Sequence, residues 1–119
     1  LDAWNRRRRE IARRYHDGIS HEAIATPALR GDDDIAHLYV VRSAARDRLR
    51  DHLAGSGVRT DVHYPIPDHR QRVFDGRFDA LKLSATETLA ATVLSLPCFP
   101  ELRDDEVDRV IDACNRWRP

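Results

Sequence analysis

At 119 residues with 41% hydrophobic side chains, the chain can bury one modest core and hardly two, so a single domain is predicted. Twenty basic residues balance twenty acidic ones, which removes any global field drawing it to nucleic acid or an anionic membrane; partners must be recognised locally. No apolar run spans a bilayer, the arginine-rich start has no hydrophobic region after it, and the two cysteines, Cys98 and Cys114, lack zinc or disulfide spacing, so a cytoplasmic protein in a reducing compartment is expected.

Leu1, Trp4, Arg8, Ile11 and Tyr15 recur at three- and four-residue steps and predict one apolar side of a helix running to about His16. Its other side is nearly all arginine. Gly18 ends it, and Pro27, Gly31 and three consecutive aspartates make the stretch to about Asp34 a loop. Residues 35–42 are rich in β-branched and aromatic types and predict a strand. Ser43 is placed to cap a helix over 45–54, with Ala45, Leu49 and Leu53 four apart and Gly55 and Gly57 at its exit. Residues 58–64 alternate: Val58, Thr60, Val62 and Tyr64 share one face of a second strand, Arg59, Asp61 and His63 the other.

From Pro65 to Leu83 no period persists, and a loop that long inside a compact domain is usually functional or mobile. Ser84 and Glu87 have capping-box spacing at the head of an apolar helix through Leu89, Ala90 and Val93. Leu94, Ser95 and Leu96 predict a short strand stopped by Pro97 and Pro100. Val107, Val110, Ile111 and Cys114 form the buried stripe of a last helix, with Asp104, Asp105 and Glu106 in its first turn, where the helix dipole favours negative charge. The expected fold is α+β: a small, mainly antiparallel three-stranded sheet with helices on one face, the 94–96 strand lying between the other two. The chain begins at Leu1, inside a predicted helix, and contains no methionine, which predicts a piece of a larger protein.

The densest chemistry lies in His63-Tyr64-Pro65-Ile66-Pro67-Asp68-His69-Arg70-Gln71, at a strand exit. Two histidines and a tyrosine suit binding better than packing. The same histidines can also be read as solvated loop residues, and Arg59 as a phosphate contact or a solvated cation. His63, His69, Asp61 and Asp68 are metal-ligand types without ligand spacing, so no metal is predicted. Arg6 to Arg9, Arg13 and Arg14 are offset by Asp2, Glu10 and Asp17, which favours a solvated or salt-bridged helix face over nucleic-acid binding. Cys114 reads as a buried structural residue and Cys98 as more exposed.

Four segments in order resemble the C-terminal small domain of the DegT/DnrJ/StrS family of pyridoxal-phosphate-dependent sugar aminotransferases: Trp4 to Arg8 with Tyr15; His37 to Val41 with Arg46 to Leu49; residues 58–71; and Leu94 to Pro97 followed by Pro100, Leu102, Asp105 to Val107, Val110 and Ile111. Arg103 stands where a capping serine or threonine is common, so the last helix is expected to start from Asp104. The resemblance implies a parent enzyme in which residues 1–17 link to a large domain holding pyridoxal 5'-phosphate on a lysine. By the same resemblance, residues 18–119 are expected to form a small domain closing over a nucleotide-linked keto sugar. It implies His63, Tyr64, His69 and Gln71 as substrate contacts, His37 as a further one, and a homodimer at full length. Lys82, the lone lysine, has no pocket or phosphate cradle in the sequence to make it the Schiff-base residue, so the chain alone is expected to be inactive and to bind no cofactor. The competing reading is a stand-alone interaction module docking a partner through Leu1, Trp4, Ile11 and Tyr15.

Overall fold

In the computed structural model, which describes residues 1–119, the order is α1 (Asp2–Gly18), β1 (Tyr39–Arg42), α2 (Arg46–Gly55), α3 (Ser84–Thr92), β2 (Val93–Leu96) and α4 (Asp104–Arg116). Short 3-10 turns occur at Gly31–Asp33, Asp68–Arg70 and Arg72–Phe74. The architecture is α+β, but the sheet has two strands rather than the expected three. β1 and β2 are antiparallel, with Tyr39 opposite Leu96 and Val41 opposite Leu94.

The missing third strand has a local cause. Residues 58–64 touch the free edge of β2 at one place only, where Asp61 and Ser95 exchange backbone hydrogen bonds of 3.2 and 2.7 Å. That contact does put β2 between β1 and this segment. In the same antiparallel register the next hydrogen-bonded positions would pair Arg59 with Pro97 and His63 with Val93. Pro97 has no N–H, and the Val93 N–H is spent on Leu89 O at the end of α3. Both flanking ladder donors are therefore missing.

The first strand is shorter than expected for a similar reason. Asp34 Oδ1 accepts the Ala36 N–H at 2.8 Å, and Ala36 takes a left-handed φ of 49°. This Asx-type turn delays the extended backbone to Tyr39 and leaves Ile35 and Leu38 exposed.

Tyr39, Val41, Leu94 and Leu96 join Ile11 and Tyr15 of α1, Leu49 and Leu53 of α2, and Val107, Val110 and Cys114 of α4 in one core. The Tyr15 hydroxyl donates to Pro97 O at 2.8 Å, and its ring lies 5.1 Å from that of Tyr39. α4 packs on both α1 and α2. Gly18 makes the first contact possible: a Cβ there would lie 2.9 Å from Ile111 Cδ1.

Three arginines of α1 are tied down rather than free. Arg7 and Arg14 both reach Asp104 at 2.7 Å, Arg14 also pairs with Asp108, and Arg9 donates to the carbonyls of Asp32 and Asp34. The Arg7 guanidinium, helped by Arg14, holds the Asp104 carboxyl below the usual carboxylate range. The apolar stripe of α1 is also largely used up. Ile11 and Tyr15 are fully buried in this domain, leaving Leu1 and Trp4 exposed, so the docking surface of the stand-alone module is reduced to two side chains at the start of the helix. α4 begins at Asp104 as expected, and Glu106 accepts the Arg103 N–H at 2.9 Å.

Candidate functional site

Two clefts of about 530 Å³ each meet at His63. The sheet-edge cleft runs from Arg59 and Asp61 past Ser95 to Phe99 and to Glu106 and Arg109 of α4. The loop cleft lies between His63, Tyr64 and His69 on one side and Leu83, Thr86 and Leu89 on the other. No group of three His, Cys, Asp or Glu side chains is placed to hold a metal ion. No helix is long and apolar enough to cross a membrane.

His63 is half-buried. Its Nδ1 is 2.9 Å from Ser95 Oγ, its Nε2 is 3.8 Å from Asp61 Oδ2, and its ring meets Tyr64 edge-on at 5.5 Å. Serine, histidine and aspartate are thus neighbours, but not as an acylating set. Ser95 is 5% exposed within β2, where an attacking hydroxyl cannot meet a substrate carbon.

His69 is 7% exposed, in the 3-10 turn Asp68–Arg70. Its Nε2 is 3.1 Å from Glu87 Oε1, and its Nδ1 has no partner. A carboxylate only accepts, so Nε2 carries the proton and Nδ1 of the neutral ring is an acceptor. Arg70 reaches the same Glu87 oxygen at 3.1 Å and donates to Asp79 O at 2.9 Å.

Glu87 was expected to close a capping box with Ser84. Instead Ser84 is the first helical residue, Leu83 occupies the N-cap without a side-chain bond, and Glu87 turns to the loop. Charge-assisted bonds to a guanidinium and an imidazole outweigh one to a neutral backbone N–H. The His69 bond, followed by that of Arg70, lowers the Glu87 carboxyl from its ordinary value. A depressed carboxylate favours the folded form above the unfolded value of about 4.3, and that contribution disappears as pH falls through the lower folded value. We expect the loop to loosen in acid, and Glu87→Ala to raise trypsin cleavage after Arg72 and Arg77 several-fold at neutral pH. Limited proteolysis followed by mass spectrometry checks the second outcome.

The remaining anticipated residues are less central. Tyr64 is 74% exposed at the rim of the loop cleft. Gln71 donates its amide to Ile66 O at 3.1 Å, holding the loop on itself, and lines neither cleft. His37 is exposed and lines neither. Arg59 is exposed on the sheet-edge cleft. Burial pushes the Cys98 thiol up to about 11 and that of Cys114 up to about 12, so neither is a thiolate at neutral pH. Sequence reading assigned Ser95 no role at the site and pointed to Asp61 only as a metal-ligand type. The signal for Ser95 was a lone polar residue in the apolar run Val93 to Leu96.

The profile of the DegT/DnrJ/EryC1/StrS aminotransferase family matches residues 1–115. The chain is 39% identical over 120 residues to a dTDP-3-amino-3,4,6-trideoxy-alpha-D-glucose transaminase of Streptomyces venezuelae, an alignment covering 98% of this chain and 32% of that one. Among solved structures, S. venezuelae DesV in complex with a ketimine intermediate superposes with a TM-score of 0.88 at 38% identity, over 98% of this chain and 32% of DesV. The ntda protein of Bacillus subtilis with bound cofactor PMP gives 0.82 at 29%, over 93% and 27% respectively. The chain therefore spans about a third of the length of these relatives. With a match running from the first residue to near the last, the chain belongs to the DegT/DnrJ/EryC1/StrS aminotransferase family.

Proposed function

We propose that this chain is the substrate-contacting small domain of an aminotransferase that moves an amino group onto a keto sugar linked to a nucleotide. In this reading the rim from His63 to Gln71 forms one wall of a cleft completed by a larger domain of the same protein. The observation that carries it is the junction of two clefts at His63, with Tyr64 and His69 lining the second of them. The names of the relatives, which span three times this length, supply the substrate class.

Pyridoxal phosphate, when bound, supplies the electron sink that carries the amino group. The residues of this chain do not fit it. Lys82, the lone lysine, is exposed and lines neither cleft, whereas a Schiff-base lysine needs a desolvated pocket. The cofactor is accordingly assigned to the larger domain, and the full-length protein to a homodimer whose contacts lie largely there. This chain binds and orients. His63 and Tyr64 offer donors to sugar or diphosphate oxygens, and Pro65 and Pro67 hold the rim extended so that little order is lost on binding. Closure of the rim excludes water from the reacting carbon.

The test uses the full-length protein with glutamate as amino donor and a nucleotide-linked keto sugar as acceptor. His63→Ala is expected to lower kcat/KM about tenfold, the loss of one good hydrogen bond worth about 1.4 kcal/mol. An unchanged kcat/KM removes the His63 rim from the site. Absence of amino transfer to any such sugar by the wild-type protein overturns the enzymatic assignment.

A further inference from the structure

We infer that Ser95, with Asp61, is a positioning pair that fixes His63 as an N–H donor toward the cleft, so that His63 recognises an acceptor oxygen and does not serve as a base. The inference rests on the proposed place of His63 in the substrate site.

The arrangement begins in the sheet. Ser95 is opposite Val40 across β1 and opposite Asp61 at its other edge. Residues directly opposite one another share a face, so the Ser95 and Asp61 side chains rise on the same side, under the ring of His63. The Ser95 hydroxyl has a single partner, Nδ1 of His63 at 2.9 Å. A buried hydroxyl has one hydrogen to place, and here the only acceptor in reach is that ring nitrogen. Ser95 therefore donates, Nδ1 accepts, and the ring proton of the neutral imidazole sits on Nε2.

Asp61 reinforces this tautomer from the other edge of the ring. Its Oδ1 accepts the Val62 N–H at 2.7 Å, which orients the carboxylate. Its Oδ2 lies 3.8 Å from Nε2, too far for a hydrogen bond but close enough for the negative charge to favour a proton there. The edge of the ring facing Ser95 is buried, and the edge carrying Nε2–H is beside the exposed Asp61 in the sheet-edge cleft. A ligand atom meeting that N–H must be an acceptor: a phosphate, carbonyl or ring oxygen. A group whose proton is to be removed would find no lone pair there.

A double-mutant cycle in the full-length enzyme tests the coupling. Ser95→Ala is expected to raise KM for the keto sugar about three- to tenfold with kcat little changed, and to add nothing further in a His63→Ala background. A general loosening of the strand would multiply with the His63 loss instead, and that result overturns the inference. His63→Gln, whose side-chain amide can place an N–H near the position of Nε2, is a second readout that leaves the strand untouched. It should stay within about threefold of wild type; a loss as large as that of His63→Ala overturns the donor role. If His63→Ala itself has no effect, the assignment of the rim to the substrate site fails, and the two failures are thereby distinguished.

Discussion

Replacing Trp117 by alanine is expected to lower the unfolding free energy by about 3–5 kcal/mol, the usual loss on truncating a buried tryptophan. Trp117 is 2% exposed, immediately beyond α4. Its ring lies 5.3 Å from that of His21, and His21 Nε2 donates to the Trp117 carbonyl at 3.1 Å. The Ala23 N–H donates to the other ring nitrogen at 3.1 Å, which fixes the tautomer and ties residues 21–23 to the end of the chain. The truncation removes the largest buried ring of this corner and leaves the His21 ring without its aromatic neighbour. Against a typical domain stability of about 5–15 kcal/mol, this should shift a urea midpoint far toward lower concentration. Trp4→Ala is the control. At 55% exposure it should change stability by less than about 0.5 kcal/mol. A Trp117 variant as stable as the Trp4 variant contradicts the packing described here.

Leu94→Ala should cost about 2–5 kcal/mol by the same cavity argument. Leu94 has no exposed surface and sits in β2 opposite Val41, in the core shared with Leu49, Leu53 and Val107. Because its neighbour Ser95 carries the backbone bridge to Asp61, slackening β2 also frees residues 58–62 from their one sheet contact. Amide exchange at Asp61 and Ser95 should therefore accelerate together with global unfolding measured by denaturant. Protection retained at both amides in a destabilised Leu94→Ala protein would show that the bridge does not depend on the core beneath it.

The two tryptophans show where sequence reading succeeds and where it misleads. Periodicity put Trp4 on the apolar side of α1, and it is on that side, but the core reaches only as far along the helix as Ile11 and Tyr15. Trp117 continues the three- and four-residue spacing of Val107, Val110 and Cys114 one step past the stripe read from the sequence, and it is buried against His21 just beyond the end of α4. The candidate site divides likewise. Its residue types were legible in the run from His63 to Gln71, since imidazole and phenol groups between prolines have few structural uses. Their partners were not. Ser95 and Glu87 are 32 and 18 residues from the histidines they hold, and Glu87 had a plausible local role at the head of α3 that an imidazole and a guanidinium donor displaced.

By itself the sequence determined the helices, the buried faces of α2 and α4, the antiparallel β1 and β2 segments, the start of α4 at Asp104, and family membership through motifs in fixed order. These depend on patterns within a few turns of chain, or on residue identities that need no coordinates. Only the tertiary structure decided that residues 58–64 remain a single bridge rather than a strand, that Arg7 and Arg14 of α1 close onto α4, and that the two loop histidines are oriented from β2 and α3. Each of those outcomes is a competition among distant partners for one donor or acceptor. The winner is set by which groups the fold brings within about 3 Å, the reach of a hydrogen bond.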